Sequence, residues 1–226
     1  MTDSPKSDKK ITRYMLTAAR VAAIGLMITA GARAAHAENV TLPSMPGNIV
    51  VTEEGNEPFL LGHGFGTQNY VCAPSAASAT GVAFSLFTPQ ATLFNDDNDN
   101  NQLITHFFSP NSDPTVVPPE AGTIRVTWED SRDSSRVWAK LLQMSTSTDS
   151  PLVSTDAVAW LKLQTVGVAA GPVGGGRLTN VTFIQRVNTA GGLAPKTGCT
   201  SLADLGNRAF IPYSADYIFY RQSHSN

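Results

Sequence analysis

The sequence predicts an all-β fold, a single-domain antiparallel β-sandwich or barrel with long loops and little helix outside its N-terminal segment. Apolar and polar residues alternate with a period of two in several segments, which is the spacing of a half-buried strand. Runs rich in Gly, Pro, Asn, Asp and Ser separate these segments. After residue 37 no stretch sustains the 3.6-residue period of a helix, and only residues 74–80 allow one short helical turn.

The alternation is clearest in four segments, residues 124–128, 137–141, 181–183 and 213–219. In each, one set of side chains is expected to face a core and the other to face solvent or a second layer. Five further strand candidates are residues 47–51, 67–72, 82–87, 102–108 and 158–166. Many short strands separated by long turns, with no linker and no internal repeat, favour one sandwich or barrel domain.

Composition narrows the class of protein. The 226 residues are 42% hydrophobic, which is enough for a real core, and only 15% charged, with a net charge of −2. Low charge argues against a disordered chain, and the lack of a basic excess argues against a nucleic-acid partner. Two cysteines are too few for a dense disulfide scaffold.

The first 37 residues are predicted to be a cleaved signal peptide. A basic region with Lys6, Lys9, Lys10 and Arg13 precedes an apolar stretch at 21–32, and Ala35-His36-Ala37 supplies a small-x-small cleavage pattern. An uncleaved anchor is the alternative, but the apolar run is too short to span a bilayer. We therefore expect a secreted or periplasmic protein with three parts, residues 1–37, a lead-in segment at 38–57 and the β domain at 58–226. After cleavage no membrane span is expected.

Cys72 and Cys199 remain after that cleavage and are the only two cysteines. In an oxidising compartment the two thiols are expected to form a structural disulfide. A metal site is the alternative, but it needs further thiol or imidazole ligands close by, and the sequence has no CxxC motif.

His106 is the most interesting titratable residue, because it lies in an apolar strand just before a long loop. It is a candidate base or ligand-binding donor, with a hydrogen-bonded structural histidine as the alternative. His63 lies among glycines and is a weaker candidate. With His36 and His224 near the ends of the chain, a multi-histidine metal site is not expected.

Two polar stretches supply the other candidates. Trp128 precedes several carboxylates and hydroxyls, among them Asp133, a combination that suits sugar rings or, with paired carboxylates, glycoside hydrolysis. The alternative is a polar hairpin turn. Gln185, Arg186 and Asn188 form a dense polar cluster, with Arg186 as the anchor of an anionic or hydroxylated ligand or, alternatively, a strand end that ties down loops. The acidic run at 97–101 lacks the Gly and Glu of a calcium loop and is expected to be a solvated turn.

Several phrases of the chain resemble the DUF3455 family, a group of mostly exported proteins without an established function. They are GTQNYVC at 66–72, PQATLF at 89–94, THFFSPN at 105–111, TWEDSRDSS at 127–135 and QRVNTAGG at 185–192, followed by Ala194-Pro195, Cys199 and YSADYIFY at 213–220. The resemblance implies export and no mechanism.

The function predicted from the sequence is ligand or surface binding without catalysis, with carbohydrate as one ligand class. A hydrolase using Asp or Glu with His106, and a purely structural envelope protein, are the alternatives. No GxGxxG turn and no GxSxG elbow occurs, so no cofactor is expected. The candidate ligand-binding residues are His106, Trp128, Asp133, Gln185, Arg186 and Asn188.

Overall fold

The computed structural model describes residues 40–95 and 101–223, and in these residues eight antiparallel strands form a closed barrel. The strands are β1 (Asn56–Pro74), β2 (Val82–Phe94), β3 (Gln102–Pro110), β4 (Ile124–Asp130), β5 (Arg136–Ser145), β6 (Trp160–Ala169), β7 (Val181–Gly191) and β8 (Arg208–Gln222). The predicted all-β antiparallel fold is confirmed, and of the two predicted architectures the structure has the barrel. The predicted signal peptide and the acidic residues 97–100 lie outside the described residues, as does His224.

The barrel is of the simplest up-and-down kind. Each strand pairs with the next one along the chain, and β1 pairs with β8 to close the sheet. The closing pair runs through most of both strands, with His63 opposite Asp216 near its centre. Every described strand therefore pairs with a neighbour on both sides over part of its length, although β2 pairs with β3 only through Ala91–Phe94.

Alternate side chains fill the interior. The predicted alternation at 213–219 is confirmed, because Tyr213, Ala215, Tyr217 and Phe219 all belong to the interior cluster. At one end the interior is plugged by Leu178, which lies in the β6–β7 connection and is fully buried. The Leu178 amide donates to the Ser135 hydroxyl at 3.1 Å, which fixes this connection to the β4–β5 turn.

Inward-facing glycines of β1 let neighbouring strands approach closely. A Cβ on Gly64 would lie 2.9 Å from the Tyr217 ring, and one on Gly62 would lie 3.0 Å from the Leu93 side chain. The intervening His63 points outward, where its Nδ1 lies 2.7 Å from an Asp216 carboxylate oxygen. The glycines around His63 therefore serve strand packing.

A second hydrophobic layer covers the outside of β6, β7 and β8. Ile49 packs there with Trp160, Phe183 and Ile218, so both faces of these strands are buried. The strand predicted at residues 47–51 is wrong, because Gly47–Ile49 forms a 3-10 turn. The segment packs on the outer face of strands that already pair with one another, and it bonds within itself, the Ile49 amide donating to the Pro46 carbonyl.

The described helices are 3-10 turns of three residues each, Gly47–Ile49 and Leu202–Asp204. Within residues 40–95 and 101–223, no helix is long and apolar enough to cross a membrane.

The predicted disulfide is present between Cys72 and Cys199, whose Cα atoms lie 5.4 Å apart. It joins the end of β1 to the β7–β8 connection across 127 residues of sequence. The Gly206 amide also donates to the Cys72 carbonyl, at 3.0 Å, so the same connection is held twice.

Replacing both cysteines with alanine (C72A/C199A) should destabilise the fold by up to about 4–5 kcal/mol, because the crosslink restricts the unfolded chain over a very long loop. Urea unfolding of the oxidised protein and the double variant measures the difference. Reduced wild-type protein is the control and should unfold with the double variant. Coincident curves for the oxidised and reduced proteins would contradict a stabilising role.

Candidate functional site

The barrel contains a cavity of about 480 Å³ at the end opposite Leu178. Strand residues form its floor and walls, while Thr146, Ser147 and Thr155 of the β5–β6 connection and Leu193 of the β7–β8 connection form its rim. Leu193 and the neighbouring Met144 and Leu86 are more than a third exposed, so this end is open to solvent. Because Cys199 ties down the connection that carries Leu193, the disulfide also fixes one side of the opening.

An aromatic cluster forms the floor. The His106 imidazole stacks on the Trp128 indole, with ring centroids 4.4 Å apart and planes inclined by 15°. Tyr217 packs against both, its ring centre 5.2 Å from that of His106 and 5.9 Å from that of Trp128. The stack follows from strand register, because His106 of β3 is directly opposite Trp128 of β4.

His106 is held as a neutral imidazole. Its pKa is lowered to about 3, chiefly by burial and also by the Arg186 charge, while the hydrogen bond with the Thr127 carbonyl opposes the shift. Nδ1 lies 2.9 Å from that carbonyl, which only accepts, so Nδ1 carries the proton and Nε2 is an acceptor. A histidine with so low a pKa is a poor general base at neutral pH, which weighs against a hydrolase that uses His106.

Arg186 points inward from β7 and lines the same cavity. Its Nε and Nη2 both donate to the Ala159 carbonyl, at 3.2 and 2.8 Å. Among the ion pairs of the described residues none involves Arg186. The guanidinium therefore stands in an apolar cavity without a carboxylate partner.

Two tyrosines bring further polar groups to the interior. The Tyr213 and Tyr217 hydroxyls lie 3.0 Å apart, and burial raises the pKa of both. Their phenols therefore stay protonated. One other donor of a cavity-lining residue, Trp128 Nε1, is buried without a hydrogen-bond partner in the described part of the chain.

The structure brings together three of the six candidate residues, His106, Trp128 and Arg186, and leaves the other three elsewhere. Asp133 lies in the β4–β5 turn, where its carboxylate accepts from the Ser135 and Arg177 amides, at 2.8 and 3.0 Å. It braces the plugged end of the barrel, and no contact connects it with the cavity.

Gln185 and Asn188 face outward. Gln185 is adjacent to Arg186, so strand alternation sends it to the outer layer, where Nε2 donates to the Ile49 carbonyl and Oε1 accepts from the Tyr220 hydroxyl at 2.6 Å. Asn188 has a φ of 51° at a bulge of β7 and donates to Asp216 at 2.7 Å. Both side chains therefore hold neighbouring segments on the outside of the barrel, which agrees with the alternative of a strand end that ties down loops.

The site also contains residues that the sequence reasoning missed, chiefly Gln68, Tyr70 and Tyr217. The sequence alternation at 213–219 could have identified Tyr217, because it places Tyr213 and Tyr217 on the same face of β8. Nothing in the sequence assigned a direction to Gln68 or Tyr70, since β1 carries glycines at Gly62, Gly64 and Gly66 in place of apolar residues. Among the described residues, no group of three or more His, Cys, Asp or Glu side chains is arranged to hold a metal ion.

Because the pKa of His106 is depressed from 6.5 to about 3 in the folded protein, its contribution to stability is present above pH 6.5 and is lost as the pH falls towards 3. Between pH 7 and pH 5 the loss should be about 2 kcal/mol. The variant His106→Phe keeps an aromatic ring at this position and removes the titrating group. Between pH 7 and pH 5 its free energy of unfolding should therefore fall by about 2 kcal/mol less than that of the wild type. Urea unfolding at both pH values measures this. His63 is present in both proteins, so its contribution cancels, and an identical pH dependence in the two would refute the buried neutral imidazole.

Comparison with known proteins agrees with the resemblance of the sequence motifs. A family model described as a protein of unknown function (DUF3455) matches residues 53–221, which spans the barrel from β1 into β8 and includes the cavity-lining strands. No curated protein matches the chain, and no solved structure matches it. The match covers about three quarters of the sequence, and the chain therefore belongs to the DUF3455 family.

Proposed function

We propose that the barrel binds one small, largely apolar molecule in its cavity. The observation that carries this proposal is the half-open cavity of about 480 Å³ lined mainly by aliphatic and aromatic side chains. Small-molecule sites commonly occupy roughly 300–1,000 Å³, and an eight-stranded barrel is wide enough to hold one small ligand. The fixed rim and the stacked aromatic floor make the site pre-formed, which lowers the entropic cost of binding.

An apolar ligand fits this cavity better than a carbohydrate does. The expectation of a sugar site rested on Trp128 and nearby carboxylates, but the Trp128 face is covered by His106 and Asp133 braces a turn. Glu129 pairs with Arg136, and Asp130 pairs with Arg177. A sugar in the cavity would leave most of its hydroxyls against apolar walls without partners, which is unfavourable.

Binding without catalysis is the form of the proposal that the side chains favour. His106 has the pKa of a poor base, and no carboxylate of residues 40–95 or 101–223 lines the cavity. A glycoside hydrolase of the common type needs two carboxyl groups on either side of its substrate.

We also propose that the protein works outside the cytoplasm. The Cys72–Cys199 disulfide suits an oxidising compartment, and the N-terminal sequence has the pattern of a secretory signal.

The neutral fluorophore N-phenyl-1-naphthylamine tests the binding proposal, because its emission rises on transfer from water to an apolar site. Wild-type protein, residues 38–226, should bind it with a stoichiometry of one. In Leu161→Trp an indole fills part of the cavity, and affinity should fall by about tenfold or more, equivalent to 1.4 kcal/mol or more.

Leu152→Trp is the matched control, because Leu152 is exposed on the β5–β6 connection and does not line the cavity. Its affinity should equal that of the wild type. Folded wild-type protein that leaves the fluorescence unchanged, or a Leu161→Trp variant that binds as tightly as Leu152→Trp, would refute the proposed site.

A further inference from the structure

We propose that the ligand carries a single negative charge, a carboxylate, and that Arg186 binds it inside the barrel. This inference rests on the proposed binding function and adds the chemical class of the ligand. Its basis is an arginine that points into an apolar cavity with no acidic partner.

The hydrogen bonds of Arg186 leave part of its guanidinium available. Two N–H groups converge on one acceptor, the Ala159 carbonyl, at 3.2 and 2.8 Å, and the guanidinium also donates to the Tyr217 hydroxyl. A guanidinium has five N–H donors, so two are left for another group. The Ala159 carbonyl is neutral and fixes the orientation of the side chain without cancelling its charge. A carboxylate can accept two parallel hydrogen bonds from such a planar group.

Several Asp and Glu side chains of the described residues have hydrogen-bond or ion-pair partners outside the cavity. Glu53 pairs with Lys162, Glu57 with Arg221 and Glu120 with Arg125, all on the outer surface of the barrel or its connections. Asp113 accepts from the Val168 and Thr115 amides, at 2.7 and 2.8 Å. No Asp or Glu is among the described residues that line the cavity.

The cavity therefore has a charge of +1. Its one histidine, His106, is neutral, because Nδ1 donates to the Thr127 carbonyl and the imidazole is fully buried in an aromatic stack. The Arg186 charge lowers the pKa of His106 and acts in the same direction on the pKa of the tyrosines around the cavity, Tyr70, Tyr213 and Tyr217. A monoanion balances this charge, whereas a dianion such as a phosphate ester would bring a second charge without a partner into an apolar site.

The side chains of the cavity walls indicate the chemistry of the remainder of the ligand. Leu161, Leu163, Val126 and Phe108 contact the same space, so the body that carries the carboxylate is expected to be an aliphatic chain or an aromatic ring. The unpartnered Trp128 Nε1 donor favours a ligand with one further oxygen, such as a hydroxyl or carbonyl.

The test uses two competitors of the same shape and different charge, 4-phenylbutyrate and 4-phenylbutanamide, which displace N-phenyl-1-naphthylamine at pH 7.5. Wild-type protein should bind the carboxylate at least about tenfold more tightly than the amide. In Arg186→Gln the two competitors should bind equally, while the neutral fluorophore still binds. Arg186→Lys should keep part of the preference, because it keeps the charge and loses the planar pair of donors.

Arg221→Gln is the matched control, because Arg221 lies outside the cavity and pairs with Glu57. It should retain the wild-type preference for the carboxylate. Equal affinity of wild-type protein for the two competitors, or a preference that survives in Arg186→Gln, would overturn the carboxylate assignment alone. Failure of wild-type protein to bind the fluorophore would overturn the proposed function and this inference with it. Circular dichroism and fluorophore binding establish that each variant is folded. If Arg186→Gln does not fold, Arg186→Met replaces it, with the same expected loss.

Discussion

The pairing of β1 with β8 is the constraint on which the rest of the structure depends. Once the sheet is closed, every strand must send alternate side chains into one interior. The interior cluster then includes Leu60 of β1 and Phe219 of β8, which pair across the closing seam. Ile49 and its neighbours pack on the outer face, against residues of β6, β7 and β8. The cavity is the part of the interior that side chains do not fill.

A charged residue inside such a barrel needs a reason, because removing a guanidinium from water is costly. In the described part of the chain, Arg186 has the Ala159 carbonyl and the Tyr217 hydroxyl as partners and no carboxylate. Other buried or half-buried charges have a partner of opposite charge, as in the ion pairs of Lys162 with Glu53 and Asp130 with Arg177. The unbalanced charge is therefore local to the cavity, where a bound anion would balance it. The neutral state of His106 keeps that balance independent of pH over the physiological range.

Local patterns in the sequence predicted the fold class well and the site in part. Alternation at 213–219 identified the inward side of β8, and an apolar strand around His106 placed that residue near a core. The sequence analysis treats Gln185 and Arg186 as members of one polar cluster, although neighbouring residues on a strand face opposite sides. Closure, strand order and the bulges that turn Asn188 outward depend on contacts far apart in the chain, so no local pattern reports them.

The most direct test of the account is to ask which tryptophan senses a ligand. The three indole N–H groups give separate signals in a 1H–15N correlation spectrum. Trp128 lines the cavity, Trp138 donates to Ser109 at 2.9 Å, and Trp160 lies in the outer layer. Saturation with N-phenyl-1-naphthylamine should shift the Trp128 signal and leave those of Trp138 and Trp160 in place. An unmoved Trp128 signal, with either of the others shifted, would place the ligand outside the barrel and contradict the account.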